Sequence, residues 1–341
     1  MKKSLILAVF CTTLFTLIAG NFKVTVITPT EMEGSTAYLT NYDTGERIDS
    51  AVVRNAMVVF DGTVEEPFVS RLIIDAKRVG QFVIEDADIS FNVENGTTTG
   101  GVINAKDATI DKEIQQYVAR FQNAENDSLR EIIYGEYQAY TDRLLEENID
   151  NPIGYMLFME KAYEMLPEEL EAFVGAHPYF GKFVRVQKLL EANRSKLASS
   201  EGAVFTDFEI EYDGVKHKLS DVVGKGDYVL VDFWASWCGP CIRQTAVLKD
   251  IYNEYKNDGL KVLGIAVWDE PVDTKKAIVK HELPWECWLN GQNIPTDAYG
   301  ISGIPCIILF GPDGTIISRD KFDDELKEAV ANAMSEAKAN K

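Results

Sequence analysis

The 341-residue sequence predicts an α/β domain from about residue 201 onward, preceded by an antiparallel β-sandwich and a helical connector. Three observations carry this reading. Turn signals recur at about ten-residue spacing up to about residue 105, as in a sandwich of short strands. The apolar residues then change period from two to three and four. Further on, an apolar run at 228–233 leads through Cys238-Gly239-Pro240-Cys241 straight into a helical pattern. The expected division is 1–20, an export segment; 21–105, the β-sandwich; 106–200, the helical connector; and 201–341, the α/β domain.

The first twenty residues read as a signal peptide. Lys2 and Lys3 make a basic start, and Leu5 to Ile18 is an apolar core too short for a comfortable membrane span. Ile18-Ala19-Gly20 is similar to the start of a bacterial lipobox, but Asn21 stands where the lipid-bearing cysteine belongs. Cleavage near Gly20 without lipid anchoring, into the periplasm or cell envelope, is the expectation, with an uncleaved N-terminal anchor as the alternative.

From Asn21 the signals are those of strands. Phe22, Val24 and Val26 alternate with polar residues. The Asn41-to-Gly45 stretch reads as a turn between strands at 37–40 and 47–53. Further strands are expected at 57–60, 67–74, 81–85 and 89–93, with Asp61-Gly62 and Asn95-Gly96 as turns and Thr97 to Gly101 as a flexible loop. This part carries no acid pair, nucleophile–base pair or phosphate loop.

Between 106 and 200 the pattern is helical. Ile114, Tyr117, Val118 and Phe121 form one stripe, and Leu129, Ile132, Ile133, Tyr137, Tyr140 and Leu144 another. Such stripes are read as packing faces.

The last part opens with Phe205, Phe208 and Ile210 and a hairpin whose tip is Asp213-Gly214. The run at 228–233 is apolar apart from Asp232 and rich in β-branched and aromatic residues, the pattern of a buried central strand. Pro240 suits the first turn of a helix, and Cys241, Val247, Leu248, Ile251, Tyr252 and Tyr255 continue it at helical steps. Strands at 261–267, 285–289, 306–310 and 315–318 and helices at 274–281 and 323–337 complete the order.

That arrangement seats Cys238 at a helix N-terminus with Cys241 one turn in. Free N–H groups and the helix dipole stabilise an anion there, so the thiol pKa falls from about 8.5 to about 7 or below. A thiolate at Cys238 can attack a disulfide, and Cys241 can displace it from the mixed disulfide. A carboxyl in an apolar strand is costly without a role. Asp232, just beneath, can take the proton from Cys241; a shifted register would instead leave it solvated.

The stretch from Val229 to Cys241 resembles the thioredoxin active site, and more broadly the TlpA/ResA-like thiol–disulfide oxidoreductases of bacterial envelopes. The likeness extends through Tyr299-Gly300-Ile301-Ser302-Gly303-Ile304-Pro305 and the turn Gly311-Pro312-Asp313-Gly314. It implies a thioredoxin-like fold, a central mixed sheet flanked by helices, and a redox-active disulfide between Cys238 and Cys241. It implies a cis Pro305 facing that pair, Ile304 pairing with the substrate backbone, and Trp237, Gly239 and Pro240 at the substrate surface. Asp232 matches the family's buried aspartate. Ala246 departs from the pattern, since a helix-kinking proline is usual there. The first part resembles, more loosely, an N-terminal domain family that often precedes envelope thioredoxin domains.

The net charge of −20 argues against nucleic acid and anionic membrane surfaces as partners. An isolated C-x-x-C is also half of a zinc site, but Cys287 and Cys306 lack metal-ligand spacing, and His177, His217 and His281 show none either. No metal or cofactor is expected. Cys306, beside Pro305, reads as a small buried side chain, with modulation of the redox pair as the alternative; Cys287 reads the same way. The functional expectation is a reductant of protein disulfides supplied by a membrane thiol electron donor. The alternative is a client-binding envelope module with the C-terminal domain as scaffold. A peroxiredoxin-type peroxidase wants Thr or Ser where Ala235 stands.

Overall fold

The computed structural model describes residues 19–339, so most of the expected export segment lies outside the described residues. The chain forms two compact units that divide between Val186 and Gln187.

Among the described residues the first unit contains eight strands: β1 (Gly20–Ile27), β2 (Thr36–Asn41), β3 (Arg47–Val52), β4 (Met57–Val64), β5 (Phe68–Ile74), β6 (Lys77–Ile84), β7 (Asp88–Asn92) and β8 (Thr97–Thr99). They make two four-stranded sheets, ordered β4-β1-β7-β8 and β3-β2-β5-β6. All pairs are antiparallel except β1 with β7. Alternation along the strands puts Phe22, Val24, Val26, Leu39, Phe60, Leu72, Phe82 and Phe91 into one core.

One expected turn and one expected loop are corrected here. Asp61 and Gly62 continue β4 opposite Lys23 and Phe22. Glycine is there because a Cβ would lie 2.9 Å from the Phe22 ring, not because the chain reverses. Thr97 to Thr99 pair with β7 instead of forming a loop. Gly100 and Gly101 take φ of 88° and 83° at the entry to a helix, a conformation that glycine adopts at least cost. A Cβ on Gly101 would meet Glu85 Oε1 at 2.2 Å. The nearly buried Glu85 carboxylate accepts the N–H groups of Val102, Ile103 and Asn104 at 2.9–3.0 Å. An anion at a helix N-terminus is well placed for unpaired donors and dipole alike.

Helices α1 (Val102–Gln122), α2 (Asp127–Glu147), α3 (Pro152–Ala162), α4 (Pro167–Ala176), α5 (Pro178–Gly181) and α6 (Val184–Ala198) follow. Ile133, Tyr140 and Leu144 are buried as the stripe predicts. Val118, Phe121, Leu129 and Ile132 are exposed, because the apolar stripes outrun the covered part of the α1–α2 pair. The Asn41 turn proves structural: Asp43 accepts from the Tyr155 hydroxyl and from the N–H groups of Val184 and Arg185 at 2.8–2.9 Å.

The second unit contains β9 (Glu209–Tyr212), β10 (Val215–Lys218), β11 (Tyr228–Trp234), α7 (Gly239–Tyr255), β12 (Leu260–Ala266), α8 (Pro271–Lys280), β13 (Glu286–Trp288), α9 (Ile294–Tyr299), β14 (Cys306–Phe310), β15 (Ile316–Arg319) and α10 (Asp323–Ala339). β9 and β10 form the expected hairpin, with Asp213 and Gly214 both at positive φ. The main sheet runs β13-β12-β11-β14-β15. Its first three strands are parallel and β14 and β15 are antiparallel, which makes it mixed.

Each face of that sheet has its own core. Val229, Val231 and Phe233 point to the side of Phe208, Leu219 and Tyr299. Leu230 and Ile307 point to the side of α7 and α10, against Leu248, Ile251, Leu326 and Val330. The alternation places Asp232 and Trp234 on the α7 side. Arg319, its side chain nearly buried, donates from Nη1 to the Ser199 carbonyl at 3.1 Å and from Nη2 to the Tyr299 carbonyl at 2.8 Å, and also reaches the Ser199 hydroxyl.

Candidate active site

β11 is buried from Val229 to Trp234, and its C-terminal end delivers the chain to the start of α7. Pro240 lies in the first turn, where its missing N–H costs nothing. Cys238 is the N-cap: its Sγ accepts the Cys241 N–H at 3.2 Å. Its own N–H is held by the Ala235 carbonyl at 3.1 Å. α7 runs unbroken from Gly239 to Tyr255 past Ala246. Cys238 and Cys241 are joined in a disulfide, with Cα atoms 5.3 Å apart.

The chain returns to this point from the far side of the sheet. The Ile304–Pro305 peptide bond is cis, and the Ile304 carbonyl oxygen lies 3.7 Å from Cys238 Sγ. Trp237 keeps 62% of its surface exposed, while its Nε1 donates to the Trp268 carbonyl at 3.0 Å. Gly239 and Pro240 are exposed beside it. The structure therefore gathers Trp237, Cys238, Gly239, Pro240, Cys241, Ile304 and Pro305 at one end of the sheet.

Asp232 lies beneath, 2% exposed. Burial pushes its carboxyl up to about 7. Among the described residues its Oδ1 has no hydrogen-bond partner. A carboxyl so placed exchanges a proton near neutral pH, as a general acid–base must.

One row of the sheet explains the surroundings. Asp232 pairs with Gly264, and Gly264 with Cys287. A Cβ on Gly264 would lie 2.9 Å from Cys287 Sγ, 3.1 Å from Trp234 Nε1 and 3.4 Å from Trp285 Nε1. Glycine there lets three larger groups gather over the position that pairs with Asp232. Burial first, then the Asp232 and Glu286 charges, raise the Cys287 thiol to about 12. Cys306 is buried in β14, where burial holds its thiol far above the ordinary range. Both remain neutral thiols and poor nucleophiles near pH 7. The histidines serve packing or helix ends: His217 stacks on Trp288 with ring centroids 5.0 Å apart, and His281 is the C-cap of α8.

Sequence reasoning passed over Trp268 and Asp269. Asp269, only 6% exposed, accepts from Ser236 N–H at 2.8 Å and from the Ser236 hydroxyl at 2.9 Å. It also accepts from Glu270 N–H at 3.0 Å and the Thr274 hydroxyl at 2.7 Å. The available signal was an acid directly after an apolar strand and two residues before Pro271, a helix-start pattern.

A dithiol pair split between a helix N-cap and its first turn, faced by a cis-proline over a mixed sheet, defines the thioredoxin-fold thiol–disulfide oxidoreductases. Comparison with known proteins narrows the class. Residues 202–319 match the AhpC/TSA family, and residues 17–114 match a domain of unknown function, DUF4369. The thiol-disulfide oxidoreductase ResA of Halalkalibacterium halodurans is 30% identical over 128 residues, 37% of this chain and 70% of the relative. ResA of Geobacillus thermodenitrificans is 28% identical over 122 residues, 36% of this chain and 69% of the relative. Among solved structures, the thioredoxin domain of a thiol-disulfide oxidoreductase from Bacteroides vulgatus is 33% identical, covering 39% of this chain and 96% of its own, with a TM-score of 0.36. The chain belongs to the ResA family of thiol–disulfide oxidoreductases.

Proposed function

We propose that the protein reduces protein disulfides in the cell envelope through the Cys238–Cys241 dithiol. The observation that carries this is the seat of Cys238 Sγ, which accepts the Cys241 N–H at 3.2 Å and lies 3.7 Å from the Ile304 carbonyl. In the reduced enzyme the Cys238 thiolate attacks one sulfur of a substrate disulfide. The other substrate sulfur leaves as a thiolate and takes a proton from solvent. Cys241 gives its proton to Asp232 and attacks Cys238 Sγ. The second substrate thiolate is released, and two electrons have passed to the substrate. The backbone of Ile304, ahead of the cis bond, offers an edge along which an extended substrate segment aligns.

The Gly239-Pro240 pair favours the reducing direction by its likeness to reducing thioredoxins, whose potentials lie near about −270 mV. The apolar run 5–18 behind Lys2 and Lys3 supports export. In an oxidising compartment the disulfide has to be reduced again, and a membrane thiol donor meets that need. Insulin reduction with dithiothreitol is the test. The wild type is expected to accelerate it, and Cys238→Ser to abolish the acceleration. A Cys238→Ser protein as active as wild type would sink the dithiol reading in favour of a client-binding scaffold. A measured potential above about −180 mV would reverse the assigned direction. Cys241→Ser is expected to hold clients as mixed disulfides on Cys238 and so to name them.

A further inference from the structure

We propose that Asp269 is a positioning residue for the thiol exchange: it holds Ser236, beside the Trp237 that Trp268 holds, so that Cys238 stays at the helix N-cap. The proposal rests on the reading of Cys238 as nucleophile. Asp269 and Trp268 occupy the turn between β12 and α8, and that turn holds the loop leading to Cys238 at two consecutive residues. The Asp269 carboxylate takes both the N–H and the hydroxyl of Ser236. The Trp268 carbonyl takes the indole N–H of Trp237.

The turn is itself braced. Thr274 and the Glu270 N–H hold the carboxylate from α8. Gln292 Nε2 donates to the Asp269 carbonyl at 2.9 Å, and Trp268 Nε1 donates to Asn293 Oδ1 at 2.8 Å. Trp268 has φ of 53°, an unfavourable conformation for a bulky residue that its surroundings have to impose. A buried carboxylate with four donors is a rigid anchor. A thiolate stabilised by one helix turn needs that turn and its N-cap kept in register.

Position and charge predict opposite signs. If Asp269 acted only through its charge, removing it would ease formation of the Cys238 thiolate and speed its alkylation. If it acts by holding the loop, removing it slows alkylation. The experiment compares reduced wild type, Asp269→Ala and Asp269→Asn by iodoacetamide alkylation from pH 5 to 9, by insulin reduction, and by melting.

Asp269→Ala is expected to alkylate at least fivefold more slowly at pH 7 and to lose tenfold or more in kcat/KM. Asp269→Asn, whose amide oxygen still accepts the Ser236 N–H, is expected to recover at least half of the loss on a logarithmic scale. A folded Asp269→Ala protein that alkylates as fast as wild type, or faster, overturns the proposal. So does an Asn variant as slow as Ala. If Asp269→Ala does not fold, Ser236→Ala and Thr274→Val each remove one tether and decide the matter. A two- to fivefold slowing in each supports the anchor, and wild-type rates in both overturn it. A wild type inert towards insulin would instead count against the dithiol reading itself.

Discussion

Asp232 and Gly264 face each other across β11 and β12, and the side chain missing at Gly264 is what admits Cys287, Trp234 and Trp285 over that position of the sheet. Burial raises the acid to about 7, and its charge in turn helps to raise the neighbouring Cys287 thiol.

Asp232→Asn tests the consequence in stability and in rate. A carboxyl raised from 3.8 to about 7 in the fold contributes most below about pH 4, and that contribution is lost as pH rises to about 7. At about 1.4 kcal/mol per pH unit this reaches up to about 4 kcal/mol. The Asn protein should therefore be the more stable one at pH 8, with the gap closing towards pH 4, as read from urea midpoints. Its release of the second substrate thiol at pH 7 should slow about tenfold or more in single turnover. Equal stability of the two proteins at pH 8 would remove the buried-acid account.

Gly264→Ala places a methyl group 2.9 Å from Cys287 Sγ. Overpacking of this kind costs about 1–3 kcal/mol. Adding Cys287→Ala should return part of that loss, giving a favourable coupling in a double-mutant cycle. Strictly additive effects would mean that the two side chains do not share the space.

Glu85→Gln in the first unit keeps the shape and removes the charge at the N-terminus of α1. One neutral oxygen then serves N–H groups that two charged oxygens serve now. A loss of about 1–2 kcal/mol is expected, with the amides of Val102 to Asn104 exchanging hydrogen faster. Unchanged exchange at those three amides contradicts the cap.

Trp237→Phe keeps a ring beside the nucleophile but drops the N–H that reaches Trp268. KM for a protein disulfide should rise about two- to fivefold, because an untethered ring has more freedom to lose on binding, and Cys238 should alkylate more slowly, because one of the two holds on its loop is gone. A change confined to kcat would assign Trp237 to the chemistry instead.

Much of the redox site was legible because its parts are close in sequence. A strand of β-branched residues, a C-x-x-C and a proline in a first turn each carry a local signal, and Asp232 stood out as one charge in an apolar run. Ile304 and Pro305 were reached through family likeness. Asp269 and Gly264 were not legible, since their roles depend on strand neighbours that only the folded sheet supplies. Gly62 misled for the same reason: a glycine that makes room for Phe22 looks, in sequence, like a glycine that turns the chain. The stripes on α1 and α2 report helical period correctly, but period does not say how far along a helix its neighbours reach.

The grip of Arg319 on Ser199 and Tyr299 sets where a working C-terminal fragment has to begin. Cut at Gly202, where the AhpC/TSA match starts, it would lose the Ser199 acceptors and leave part of a nearly buried guanidinium bare next to the segment that leads to Pro305. Starting ahead of Ser195, whose carbonyl holds the Ser199 hydroxyl, keeps that last helical turn as the left-hand bookend of the redox domain.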